Sequence, residues 1–155
     1  MKIYIITLIA VLLAPCQQKS ITTDMATIGK DKFELIQKGE QAFLIVNSKS
    51  IKIEGNLKLT PPCYFLRGNG KIQSFAYTDV KADKVLIIIG NIAGNDDKKQ
   101  YGVDNNLICG KKIQGLVLKG NKAVLTEKTI DGALSCKDNG LDEKDFWFFA
   151  HPQKK

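Results

Sequence analysis

The chain has 155 residues and a formal net charge of +7, with 22 lysines, a single arginine and four cysteines. This length suits one domain with a hydrophobic core. Arginine is nearly absent and no basic helix or basic-aromatic motif occurs, which argues against nucleic-acid binding. The lysine excess favours contact with an anionic surface or an acidic partner, although scattered lysines also serve solubility alone.

The first sixteen residues have the layout of a cleaved export signal. A basic start at Met1 and Lys2 precedes an apolar run over residues 3–14, and polar residues follow Cys16. The apolar run has twelve residues, whereas a membrane-spanning helix needs about 20. The sequence therefore predicts export and removal of this segment.

The segment Leu13-Ala14-Pro15-Cys16 resembles the lipobox of bacterial lipoproteins. The resemblance implies that residues 1–15 are a signal peptide and that the sulfur of Cys16 receives a diacylglycerol. Residues 16–30 are then a lipidated N-terminus and a flexible tether, because few of them are apolar. The lipid is the expected link to the membrane, and two acyl chains already suffice for stable attachment.

Two neighbouring residues bear on sorting and processing. Gln17 is similar to the residue after the cysteine in lipoproteins sent to the outer membrane, which implies an envelope protein facing the periplasm. Pro15 departs from the small residue that usually precedes the cysteine. The alternative is an ordinary signal peptide cut near Ser20 or Thr23, with Cys16 incidental.

Residues 31–155 are predicted to form one globular, β-rich domain. Most segments alternate apolar and polar side chains with the period of half-buried strands. The run over residues 85–89 is apolar and rich in β-branched side chains, which predicts a central strand buried on both faces. Glycine-containing turns predict hairpins over residues 64–78 and 113–127.

The later segments complete an all-β prediction. Residues 92–106 are expected to be mostly loop, and the aromatic segment 145–151 a last strand. A short helix is the alternative around residues 31–37 or 142–148. The predicted fold is a single antiparallel β-sandwich or small barrel of short strands and hairpins with little helix.

The cysteines predict one disulfide in an oxidising compartment. Cys109 and Cys136 flank the second predicted hairpin, so its formation would bring them together. They are the favoured pair, and Cys63 is then a buried, inert thiol. Pairing of Cys63 with either of the other two stays open.

Catalytic and metal-binding patterns are weak in this sequence, so no cofactor and no metal are predicted. The single histidine, His151, precedes Pro152 near the chain end, where a structural role is favoured over a catalytic one. Acidic clusters over residues 96–104 and 138–145 lack the spacing of an EF-hand, and are interpreted as solvated loops.

The segment that begins at Asp142 is the best candidate for a binding surface. On a strand, Trp147 and Phe149 would share one face, next to the charged residues Asp142 and Glu143. If that face is exposed, the aromatic pair has the composition of a binding hot spot. If the strand lies between two layers, both residues belong to the core.

These features favour a non-enzymatic, protein-binding module of the cell envelope. By size, location and composition it is similar to periplasmic inhibitors of cell-wall hydrolases and to immunity proteins against toxins. A structural or assembly lipoprotein of an envelope complex is the first alternative. A small hydrolase that uses the carboxylates of Asp142, Glu143 and Asp145 is a distant one.

Overall fold

A computed structural model of the protein describes residues 19–151. The predicted signal peptide, the predicted lipidation residue Cys16 and residues 152–155 lie outside the described part, as does the side chain of Ala133. Between residues 19 and 151 there is no helix long and apolar enough to cross a membrane.

The described chain begins with a three-stranded antiparallel meander of β1 (Ser20–Ile28), β2 (Asp31–Lys38) and β3 (Gln41–Asn47). Gly29 and Gly39 occupy its turns with φ of 63° and 59°, a backbone conformation that glycine adopts without steric cost. The prediction of a tether as far as residue 30 is wrong from Ser20 onward. The few apolar residues of β1 suffice because the strand pairs along the whole of β2.

The remaining strands form a six-stranded sheet and a small hairpin. They are β4 (Lys52–Glu54), β5 (Tyr64–Phe65), β6 (Arg67–Gly68), β7 (Lys71–Ile72), β8 (Phe75–Tyr77), β9 (Ala82–Ile92), β10 (Cys109–Lys119) and β11 (Lys122–Cys136). The large sheet has the order β4-β11-β10-β9-β5, and β8 also pairs with β9. Its pairings are antiparallel except that of β4 with β11.

Both predicted hairpins exist, with different extents. The second is confirmed: residues 113–127 form the turn and the adjoining ends of β10 and β11. Both strands continue away from the turn, to Cys109 and Cys136. The first is reduced to the β6–β7 pair, because β8 pairs with β9 and not with β5. Periodicity identified the strands but not their partners.

Strand β9 is buried on both faces, as its sequence predicts. Leu86 and Ile88 belong to a core between the large sheet and the meander, together with Phe33 and Leu35 of β2. Val85, Ile87 and Ile89 belong to a second core on the opposite face. Two packed, mainly antiparallel layers confirm the predicted all-β class, a sandwich or small barrel.

Helix α1 (Asn95–Gln100) is a single short helix inside the segment predicted to be loop. Helix α2 (Glu143–Ala150) covers the second core. The prediction of a last strand over residues 145–151 is therefore wrong, and the alternative of a short helix around 142–148 is confirmed. Phe146, Phe149 and Ala150 are three and four residues apart, which places them together on the buried face of a helix.

Candidate binding surface

The disulfide closes the ends of the two longest strands. Cys109 and Cys136 are register partners on β10 and β11, and their sulfurs are 2.03 Å apart, which confirms the favoured pairing. Cys63 is buried and free. Burial raises the pKa of its thiol to about 12, so the reactive thiolate is scarce at neutral pH.

The start of α2 is fixed to the rest of the fold by side-chain hydrogen bonds. The side-chain amide nitrogen of Gln73 donates to the carbonyl oxygen of Leu141 at 2.9 Å, and the Leu141 N–H donates to Gln73 Oε1 at 2.9 Å. The Tyr77 hydroxyl donates to the carbonyl oxygen of Glu143 at 3.2 Å. Asp142 precedes the helix, and its carboxylate pairs with Lys144 at 3.1 Å.

The sequence prediction placed Trp147 and Phe149 on one face, and the helix separates them. Phe149 is 3 % exposed and packs in the second core, so it is not a surface contact. Trp147 is 47 % exposed. Asp142 and Glu143 are also exposed, at the beginning of the same helix. Of the four predicted binding residues, three therefore remain on the surface.

Trp147 is held in place by His151. The indole and imidazole rings stack with centroids 4.2 Å apart and an angle of 17° between their planes. His151 Nε2 donates to Asp79 Oδ2 at 2.7 Å, and Nδ1 lies 2.9 Å from the carbonyl oxygen of Trp147. Tyr77 meets the imidazole edge to face, with ring centroids 5.5 Å apart.

The imidazole of His151 faces an acceptor at each nitrogen, an arrangement that fits the protonated ring with its two donors. The hydrogen bond to Asp79 raises the pKa of His151 and lowers the pKa of Asp79. A histidine that acts as a base toward a nucleophile needs a ring nitrogen directed at that nucleophile. In this arrangement both nitrogens are engaged, and the ring acts as a support for Trp147.

An apolar groove of about 440 Å³ lies along the other flank of α2, against β10 and β11. Its apolar lining consists of Val117, Val124, Leu125, Phe148, Phe149 and Ala150. Lys119 and Lys128 also line it, and the Lys128 ammonium lies 5.6 Å from the centroid of the Phe148 ring. The positive charge of Lys119 also lowers the pKa of His151, against the larger effect of Asp79.

Sequence reasoning missed the groove because it depends on the helix. Phe148 and Ala150 belong to α2, whereas Val117 and Val124 face each other on neighbouring strands. As strand residues, Phe148 and Ala150 gave no reason to expect a groove. The three- and four-residue spacing of Phe146, Phe149 and Ala150 was the available signal.

In the first acidic cluster, Asp97 serves local structure. Asp97 pairs with Lys111 at 3.0 Å and accepts a hydrogen bond from the Gly94 N–H, and the hydrogen bond from Lys111 lowers its pKa. Within residues 19–151, no three His, Cys, Asp or Glu side chains come together as a metal site.

No family model matches this chain, and no curated protein or solved structure matches it either.

Proposed function

We propose that this chain is a lipid-anchored protein of the bacterial cell envelope that binds another protein through α2 and the adjoining groove. The lipid is attached at Cys16, within a segment that resembles a lipobox. The bound partner is a periplasmic toxin or cell-wall hydrolase, which the chain inhibits without catalysing a reaction itself. The domain faces the periplasm from the outer membrane.

The observation that carries this proposal is an exposed tryptophan in a fixed orientation. Tryptophan is enriched at the energetic centres of protein interfaces. An aromatic side chain that is already immobilised loses little conformational entropy when a partner covers it. The stack on His151, itself bonded to Asp79, supplies that immobilisation for Trp147.

The charge of the groove and of the whole chain favours an acidic or neutral partner. The groove has an apolar floor, and the side chains of Lys119 and Lys128 also line it. Glu127, which also lines the groove, has its carboxylate paired with Lys58. The chain as a whole is basic, so a strongly basic hydrolase is disfavoured by like-charge repulsion.

Photo-crosslinking in the intact envelope tests this function. A benzoylphenylalanine replaces Trp147 in the full chain, and the matched control carries it at Tyr101, an exposed aromatic residue at the end of α1. The proposal requires one adduct from position 147 that is absent from position 101. The adduct's protein is then purified, and its toxic or hydrolytic activity is measured with and without the chain.

Loss of that activity in the presence of the chain supports an inhibitor or immunity protein. An adduct with a resident component of an envelope complex, with no activity to inhibit, identifies the assembly alternative instead. Equal labelling from positions 147 and 101 contradicts a binding surface on α2. The intact mass of the purified chain reports the lipid at Cys16 independently of any partner.

A further inference from the structure

The outer face of the meander carries a row of apolar side chains. Met25, Ile36, Phe43 and Ile45 alternate along their strands with the residues that enter the first core. Ile36 is the register partner of Phe43, and Glu34 links Met25 to Ile45 across the sheet. These four side chains, called the meander patch, therefore share one face.

The meander patch is exposed in the described chain. Met25, Phe43 and Ile45 have exposed fractions of 48 %, 42 % and 48 %. An antiparallel sheet with one solvated face ordinarily carries polar side chains there. Contiguous exposed apolar side chains on a sheet face mark a contact surface, either with another protein or with a membrane.

The start of β1 places this patch close to the predicted lipid. Ser20 lies at the edge of the patch, in a shallow hollow with Ile36, Phe43 and Ile45. Only four peptide bonds along the backbone separate Ser20 from Cys16, and so short a segment spans at most about 14 Å. A lipid on Cys16 therefore holds the bilayer surface within reach of this face.

Charged residues around the sheet match an anionic headgroup layer. Lys19 and Lys38 lie at one end of the meander with Glu40, and Lys30 and Lys49 at the other with Asp31. All four lysine side chains are exposed, and lysines outnumber carboxylates at both ends. Lys32, on the outer face, is paired with Glu34 at 2.9 Å. Apolar side chains flanked by lysines are typical of surfaces that lie in the interface of an anionic membrane.

We infer that the meander patch lies on the anionic lipid surface to which the chain is attached. The inference rests on the lipid anchor of the proposed function and adds a second contact, made by side chains of the folded domain. The meander and α2 cover opposite faces of the large sheet. Contact of the patch with lipid therefore turns Trp147 and the groove away from the membrane, toward the periplasm.

Oxidative footprinting tests this orientation with probes that the chain already contains. Met25 is the only methionine after the predicted signal peptide, and Trp147 is the only tryptophan. They fall in different tryptic peptides, residues 20–30 and 145–154. The lipidated protein, in vesicles of phosphatidylethanolamine and phosphatidylglycerol, is compared with the soluble Cys16→Ser protein during hydroxyl-radical exposure.

Insertion of the patch into the headgroup layer slows oxidation of Met25 by about fivefold or more, whereas the oxidation rate of Trp147 changes by less than about twofold. Replacement of two patch residues, Phe43→Gln/Ile45→Gln, removes this protection of Met25. The control, Tyr101→Gln/Ile108→Gln, removes two exposed apolar side chains elsewhere and retains the protection.

Three results overturn the inference. The first is an equal oxidation rate of Met25 on vesicles and in solution. The second is protection of Met25 that persists in Phe43→Gln/Ile45→Gln, which indicates proximity without contact. The third is protection of Met25 in the soluble protein as a dimer forms. An intact mass without acyl groups contradicts only the lipid anchor of the proposed function and leaves the membrane contact of the patch to be decided. The same vesicles then decide the inference by sedimentation: binding with Met25 protected supports it, and no binding overturns it.

Discussion

Arg67 and Asp24 form a two-pronged salt bridge that joins the meander to the large sheet. Nη1 of Arg67 donates to Oδ2 of Asp24 at 2.7 Å, and Nη2 donates to Oδ1 at 2.8 Å. The same carboxylate accepts a hydrogen bond from the Phe65 N–H at 2.9 Å. Both side chains are largely buried, so the only arginine of the chain has a structural position.

Removal of this arginine is expected to destabilise the fold strongly. Arg67→Ala leaves the buried Asp24 carboxylate without its partner, which costs about 3 kcal/mol of unfolding free energy. Arg67→Lys keeps the positive charge but loses the two-pronged hydrogen bonding. Its unfolding free energy is expected to lie between those of the parent and Arg67→Ala. Urea unfolding of the Cys16→Ser protein measures both. Equal stabilities of Arg67→Ala and the parent would show that the meander is held by apolar packing alone.

Gly115 sets how closely α2 approaches β10. A Cβ added there would lie 2.6 Å from both Cβ and Cγ of Phe149, so the helix or the ring must move. Gly115→Ala is expected to cost about 1–3 kcal/mol of unfolding free energy and to change the fluorescence of Trp147. Gly68→Ala is the matched control, because its Cβ meets nothing closer than 3.7 Å. Unchanged stability and fluorescence in Gly115→Ala would contradict the close packing of Phe149 against Gly115.

The pair of His151 and Asp79 gives the Trp147 side of α2 a pH dependence. The pKa of His151 is raised from 6.5, so its contribution to stability is complete below pH 6.5 and is lost as the pH rises through the higher folded value. The pKa of Asp79 is lowered from 3.8, so its contribution is complete above pH 3.8 and is lost as the pH falls through the lower folded value. The His151–Asp79 pair therefore stabilises the fold most between pH 3.8 and pH 6.5.

Titration of the only histidine by NMR measures this effect directly. Asp79→Asn removes the carboxylate that raises the pKa of His151, so the pKa is expected to fall, while nearby Lys119 lowers it further. Asp96→Asn is an exposed control on α1 and leaves the titration unchanged. A His151 pKa that is the same in the parent and in Asp79→Asn would rule out the pair.

The disulfide closes a long segment of chain. Its two cysteines are 27 positions apart, and in the chain-entropy model their bond stabilises the fold by about 3.5 kcal/mol. Cys109→Ala/Cys136→Ala is expected to lose about that amount of unfolding free energy in urea. In the parent, a thiol reagent is expected to label Cys63 only after unfolding, because the side chain is buried. Labelling of Cys109 or Cys136 in the non-reduced parent would contradict the pairing.

Local patterns were sufficient for the strands and insufficient for their arrangement. The apolar run of β9 and the position of Cys109 and Cys136 around one hairpin are properties of the sequence itself. Strand β1 has few apolar residues and becomes a strand through its pairing with β2 and the buried bond of Asp24 to Arg67. That bond joins residues 43 positions apart, and no local pattern indicates it.

The candidate surface was predicted in part for a similar reason. The aromatic and charged composition of its segment identifies Trp147 as a candidate contact residue. Its support depends on the hydrogen bond between His151 and Asp79, which are 72 positions apart, and no local pattern indicates it. The strand prediction puts Phe149 on the same face as Trp147, although the segment also fits a helix, which separates the two residues. The groove required both the helix and the register of β10 with β11.

The most direct measurement of the central claim is the affinity of the purified chain for the protein crosslinked at position 147. Trp147→Ala is expected to weaken binding by about 2 kcal/mol, or roughly thirtyfold, because it removes the aromatic centre of the interface. Tyr101→Ala, which removes an aromatic side chain that is 54 % exposed, is expected to leave the affinity within about twofold. Equal affinities of Trp147→Ala and the parent would contradict the account.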